Sequence, residues 1–270
     1  MTRGHWMSQS EVRELDRSTF PPERPRSLVL EQVRYRYSGA SEDVLKGISL
    51  EIPVGSRCAI VGPSGSGKST MIDVILGLSE PSEGTVRLDR TDIADVLGAW
   101  HSRVGYVPQR VALFDASIAQ NVALTWGQDI DLARVEWALE KAQLGDLLSR
   151  PDGGVHAHVG ERGASLSGGQ QQRLGIARAL YSDPLVLVLD EATSSLDTAT
   201  ESQVMAALNA LAGSVTVITV AHRLATIKDY DQICYVSEGR LVKAGTFDDV
   251  VRTVEDFATQ VDLAGLRQER

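Results

Sequence analysis

The eight residues Gly62, Pro63, Ser64, Gly65, Ser66, Gly67, Lys68 and Ser69 constrain this chain more than any other stretch, because they fit G-x-x-x-x-G-K-[ST] without a mismatch. That pattern has meaning only between a strand and a helix. Residues 58–61, Cys-Ala-Ile-Val, read as a short buried strand, and Met71, Ile72, Ile75 and Leu76 follow at helical spacing. Glycines in such a loop let successive backbone N–H groups turn toward phosphates, and the helix N-terminus beyond adds partial positive charge. Lys68 is then placed to bridge the β- and γ-phosphates and Ser69 to give a hydroxyl to Mg2+. Thr70 would touch a phosphate oxygen through its backbone or side chain. The alternative is a glycine-rich surface turn, which gives no reason for the flanking strand and helix.

Further buried-strand runs fall at residues 104–107, 185–189, 215–220 and 233–236, separated by helical patterns. The alternation predicts an α/β core with a mainly parallel sheet. Residues 28–37 and 44–52 alternate apolar and polar, which predicts an antiparallel pair joined through Ser38, Gly39 and Ala40. Glu238, Gly239 and Arg240 make a hairpin turn. Between 109 and 182 strand signals give way to helical ones, as in Leu132, Val135, Leu139, Ala142 and Leu147. The expected organisation is a linker over 1–27, a core over 28–108 and 183–270 that includes the antiparallel part, and a helical insertion over 109–182. A final amphipathic helix is expected over about 247–266.

Composition removes several classes of function. A chain of 270 residues has ample interior for a hydrophobic core, and a formal net charge of -9 speaks against a nucleic-acid partner. Cys58 and Cys234 lie in apolar runs, where cysteine behaves as a small buried hydrophobe. No segment approaches the ~20 apolar residues of a membrane span, and no secretory leader is visible, so the chain itself reads as soluble. Residues 1–27 are polar, with a brief helical pattern at 10–16 ahead of Pro21, Pro22 and Pro25.

The run 185–189 delivers Asp190 and Glu191 at the end of a buried strand, the edge where ligands bind in open α/β sheets. Asp190 is suited to orient Mg2+ through water, and Glu191 to accept a proton from the water attacking the γ-phosphate. An Asp-Glu helix cap is the alternative. Upstream, Ser167 with the amides of Gly168 and Gly169 precedes a helix carrying Leu174, Ile176, Ala177 and Leu180, which makes a second anion site at a helix N-terminus.

With Leu166-Ser167-Gly168-Gly169-Gln170 ahead of Asp190-Glu191, the chain resembles the ATP-binding cassette (ABC) family over nearly all of residues 28–266. The resemblance implies a P-loop NTPase (RecA-like) core that binds and hydrolyses ATP with Mg2+. It implies that Ser167, Gly168, Gly169 and Gln170 touch the γ-phosphate of ATP held by a second, facing cassette, in a homo- or heterodimer. Tyr37, in Val33-Arg34-Tyr35-Arg36-Tyr37, then corresponds to the aromatic that stacks on adenine, with a purely structural strand tyrosine as its rival. Gln109, in Tyr106-Val107-Pro108-Gln109, corresponds to the glutamine that reaches Mg2+ and the attacking water. His222 corresponds to the switch histidine on the γ-phosphate, although a lone histidine at a strand end is more often structural. Asp197, in Ser194-Ser195-Leu196-Asp197, belongs to the loop through which paired cassettes sense each other.

Residues 113–122 and Val159-Gly160-Glu161-Arg162-Gly163 resemble exporter cassettes, the second being the segment that meets the membrane domain's coupling helices. His158 departs from the pattern, standing where exporters carry an acidic residue. With His156 it hints at a metal site, but two histidines in a glycine-rich loop without cysteines fit a solvated loop better. The implied partner is an exporter's transmembrane domain, fused or separate, with this chain at the cytoplasmic face of the membrane and 1–27 as the connection. Two rivals are a soluble ABC ATPase acting on DNA or ribosomes, and an inactive regulatory module. Acidic balance disfavours the first; the presence of Lys68, Asp190, Glu191 and His222 disfavours the second.

Overall fold

A computed structural model describes residues 25–127, 129–149, 151–192, 198–221 and 223–266. Its strands are β1 (Ser27–Tyr35), β2 (Leu45–Pro53), β3 (Arg57–Val61), β4 (Glu83–Leu88), β5 (Thr91–Asp92), β6 (Val104–Val107), β7 (Val186–Asp190), β8 (Thr216–Val220), β9 (Gln232–Ser237) and β10 (Arg240–Gly245). Its α-helices are α1 (Lys68–Ile75), α2 (Leu97–His101), α3 (Ile118–Ala123), α4 (Leu132–Lys141), α5 (Gly168–Tyr181), α6 (Thr198–Asn209), α7 (Phe247–Thr253) and α8 (Glu255–Leu263).

A six-stranded sheet in the order β10-β9-β3-β8-β7-β6 forms the centre. All its pairings are parallel except that of β9 with β10, which closes the hairpin at Glu238 and Gly239. Both faces are covered, so the inner strands are apolar throughout rather than alternating. Cys58, Ile60, Val186, Val188, Ile218, Val220, Cys234 and Val236 face α1 and a four-stranded antiparallel sheet ordered β2-β1-β4-β5. Ala59, Val61, Ile233 and Tyr235 face α7 and α8, while Leu187, Leu189 and Val217 face α5 and α6. This is the α/β architecture expected from the sequence, antiparallel sheet included. Cys58 and Cys234 are buried and unbridged.

Three details differ from the expectation. First, β1 stops at Tyr35, which pairs with Leu45 at the end of the ladder and accepts the Val44 N–H at 2.8 Å. Tyr37 therefore sits in the loop beyond the ladder. Second, β4 and β5 add two strands to the antiparallel sheet, with Val86 and Leu88 pointing into the core. Third, the C-terminal helix is two helices broken at Val254, whose backbone is extended. Among the described residues no helix is long and apolar enough to cross a membrane.

Candidate functional site

The loop of residues 62–67 joins β3 to α1 at the C-terminal edge of the parallel strands. Its shape depends on Gly62, whose φ is 146° and where an added Cβ would stand 1.9 Å from the carbonyl oxygen of Val236. The loop is tied from two sides. Ser66 donates its N–H to the Pro63 carbonyl at 3.2 Å, and the β9–β10 turn donates from Gly239 to the Ser66 carbonyl at 3.0 Å. Lys68 is buried, and its Nζ donates to the carbonyls of Gly62 at 2.9 Å and Pro63 at 2.8 Å. Burial lowers the Lys68 ammonium from its ordinary value, opposed by the negative charges of Glu191 and Asp190, which bring these three groups into one site. The Ser66 hydroxyl oxygen is buried without a hydrogen-bond partner. Pro63, Ser64, Gly65 and Ser69 are exposed at the loop surface.

Asp190 ends β7, paired in register with Val220, and Glu191 follows with a left-handed φ of 51° while donating its N–H to the Val220 carbonyl at 3.2 Å. A non-glycine residue held in that region costs of order 1–3 kcal/mol and persists only where the surroundings over-determine it. Gln109, beyond β6, donates from Nε2 to Oε2 of Glu191 at 3.0 Å. Tyr106, on β6 itself, donates from its phenol to Oδ2 of Asp190 at 3.3 Å. Its phenol is pushed up to about 12, first by burial and then by the Asp190 charge, so it stays a donor at neutral pH. Asp73 on α1 belongs to the same cluster: burial, then the charge of Asp190, raises its carboxyl. Neither Tyr106 nor Asp73 was singled out from the sequence.

Tyr37 is 46% exposed, stands edge-on to Tyr35 with ring centroids 5.0 Å apart, and shares a hydrogen bond with Thr70 at 3.0 Å. The Thr70 side chain is thus tied to Tyr37 at the first turn of α1. Ser167 caps α5 in a reciprocal box: its Oγ accepts from the Gln170 N–H at 3.3 Å, and Gln170 Oε1 accepts from the Ser167 N–H at 3.0 Å. Gly168 faces open space and Gly169 packs against Thr200. Farther along α5, Gln172 donates to the Pro108 carbonyl at 3.3 Å, joining that helix to the residue before Gln109. Asp197, His222 and residues 1–24 lie outside the described residues.

The segment at 113–122 is anchored by Asn121, fully buried, whose Nδ2 donates to the carbonyls of Phe114 and Ser117 and whose Oδ1 accepts from the Phe114 N–H. Arg178 of α5 donates to the carbonyls of Asn121 and Ala112, both at 2.9 Å, and lies over the Phe114 ring. Phe114 and Trp126 remain exposed with their rings 5.5 Å apart. His158 is exposed, with Nδ1 3.9 Å from Asp115, and Arg162 in the neighbouring turn has a left-handed φ of 52°.

Comparison with known proteins shows what the chain is similar to. A family model described as ABC transporter matches residues 45–194. The ATP-dependent lipid A-core flippase of Cupriavidus pinatubonensis is 42% identical over 229 residues, covering 83% of this chain and 38% of the flippase. The ATM1-type heavy metal exporter of Novosphingobium aromaticivorans is 41% identical over 228 residues, covering 84% of this chain and 37% of the exporter. The chain thus spans less than half the length of these relatives. The solved structure of a bacterial Atm1-family ABC exporter with ATP bound superposes with a TM-score of 0.80 at 37% identity, covering 91% of this chain and 43% of the other.

Proposed function

The chain belongs to the ABC transporter family, and from that premise we propose that it is the family's ATP-hydrolysing cassette and works as one half of a paired ATPase driving an exporter's membrane domain. The observation that carries the chemistry is the Gln109–Glu191 hydrogen bond at 3.0 Å, beside the cluster of Lys68, Asp190 and Glu191.

In this reading the loop amides of residues 62–67 and the Lys68 ammonium hold the β- and γ-phosphates. The buried Ser66 hydroxyl, without a protein partner, fits a phosphate-lined cradle. Tyr37, half-exposed beside the first turn of α1, offers its ring to adenine. Ser69, Gln109 and Asp190 would hold Mg2+, which when bound neutralises charge developing on the phosphate oxygens. Glu191 takes the proton from the attacking water, and Gln109 fixes its carboxylate for that task. Phosphate transfer leaves the protein little covalent work, so this positioning is most of the catalysis. His222 and Asp197 complete the set from sequence alone.

Ser167, Gly168, Gly169 and Gln170 serve the ATP of the facing cassette, so a two-fold pair of identical or related chains completes two sites at once. Loss of the γ-phosphate removes the Ser167 and His222 contacts and lets the pair open. Exposed Phe114, tied to α5 through Arg178, the neighbouring Trp126 and the turn at residues 159–163 are where the membrane domain's coupling elements would bear. By the flippase and heavy metal exporter names of the relatives, the function served is export across a membrane, with this chain on its cytoplasmic face.

The test is Glu191→Gln. Phosphate release falls by two orders of magnitude or more, on the order of a lost general base, while ATP affinity holds and an ATP-bound dimer accumulates in size-exclusion chromatography. Near-normal turnover in the variant defeats the assignment.

A further inference from the structure

Tyr106 is the outward-facing residue of β6, the edge strand of the central sheet. It pairs in register with Val188 of β7, two residues before Asp190 and so on the same face of that strand. From there its phenol reaches Oδ2 of Asp190 at 3.3 Å, and three residues later Gln109 reaches Oε2 of Glu191 at 3.0 Å. One strand end therefore supplies a separate donor to each of two adjacent carboxylates.

The choice of donor matters. An Asp carboxylate turns in a broad, two-fold torsional well, so nothing intrinsic decides which oxygen faces the loop of residues 62–67. A hydrogen bond to one oxygen favours one of the two orientations. A cationic donor would also cancel the charge that a divalent cation needs; a neutral phenol orients the carboxylate and leaves its charge intact. Asp73 lies within electrostatic reach of both Asp190 and Tyr106, so the orientation of Asp190 is set beside a second carboxylate.

We propose that Tyr106 is a positioning residue that presets the Asp190 carboxylate for the Mg2+ accompanying ATP. The inference rests on the assignment of Asp190 to Mg2+ made above. Tyr106 is 42% exposed, so Tyr106→Phe removes a hydroxyl without opening the core.

Titration calorimetry with a non-hydrolysable ATP analogue, in chelator and in excess Mg2+, gives the factor by which Mg2+ tightens binding. Tyr106→Phe lowers that factor about 2- to 10-fold, part of the worth of one hydrogen bond to a charged group, and leaves affinity in chelator unchanged. Asp190→Asn lowers it as well, and adding Tyr106→Phe to Asp190→Asn lowers it no further. An unchanged factor in Tyr106→Phe, when Asp190→Asn does reduce it, overturns the role of Tyr106 alone. Equal Tyr106→Phe effects in both backgrounds overturn it too. An unchanged factor in Asp190→Asn overturns the metal assignment beneath it.

Discussion

Gly62→Ala is the sharpest test of how the phosphate loop is built. The new Cβ would begin 1.9 Å from the Val236 carbonyl oxygen, whereas real Cβ contacts stay beyond 3.0 Å, so loop and β9 must separate by about 1.1 Å. That movement cannot be absorbed by a side chain, because the obstructing atom is backbone within the sheet. Overpacking of this kind costs about 1–3 kcal/mol. A side chain at φ 146° adds about 1–3 kcal/mol of backbone strain. The expected total is about 2–6 kcal/mol, set against the 5–15 kcal/mol that typically holds a domain folded. Nucleotide binding falls with it, since Lys68 is anchored on the Gly62 carbonyl at 2.9 Å and a shift of about 1 Å exceeds the hydrogen-bond window. Gly65→Ala is the control: its φ is 76°, but nothing lies within 4 Å of the added Cβ, so only about 1–2 kcal/mol of left-handed backbone cost applies. Urea unfolding followed by intrinsic fluorescence, with fluorescent-nucleotide titration alongside, separates the two. If Gly62→Ala costs no more than Gly65→Ala, the clash with Val236 does not shape the loop.

Ser167→Arg should abolish hydrolysis and ATP-dependent pairing while the separate chain still binds nucleotide with unchanged affinity. A collapse of monomer affinity in equilibrium dialysis would show that Ser167 serves its own chain's ATP. Arg178→Ala should destabilise the chain by about 1–3 kcal/mol in urea unfolding, because the partly buried Asn121 carbonyl and Oδ1 lose a donor. A loss under 1 kcal/mol would mean that Arg178 does not hold the 112–121 segment to α5.

Much of this fold is written in local pattern. β3, β6, β7, β8 and β9 are apolar runs flanked by turns, and each lies within two residues of the expected strand. The alternation of Thr85, Val86, Arg87 and Leu88 is an equally legible strand signal, realised as β4. The C-terminal segment reads as one helix because Phe247, Val250, Val254, Phe257 and Val261 keep helical spacing straight across the break, both short helices burying the same face. Tyr106 is a different case. Its meeting with Asp190 requires β6 to lie beside β7 in a sheet ordered β10-β9-β3-β8-β7-β6, and strand order is a property of the whole chain. Motif residues are legible because their chemistry is packed into a few consecutive positions; partners contributed by a neighbouring strand are not.

The cap on α5 bears on how the Ser167→Arg result must be interpreted. A serine hydroxyl has one O–H to donate and two lone pairs to accept with. The capping box uses a lone pair, for the Gln170 N–H, so the O–H stays available to a phosphate while the helix remains capped. Folding and the proposed second grip therefore draw on different parts of the same group. Arginine at this position would lose the cap, worth about 1 kcal/mol. Yet α5 is held far more strongly by Leu174, Ile176, Ala177 and Leu180, all at 0% exposure in the core. Loss of the cap frays one turn and leaves the helix in place. A defect confined to pairing and hydrolysis then reports on the facing nucleotide and not on an unfolded helix.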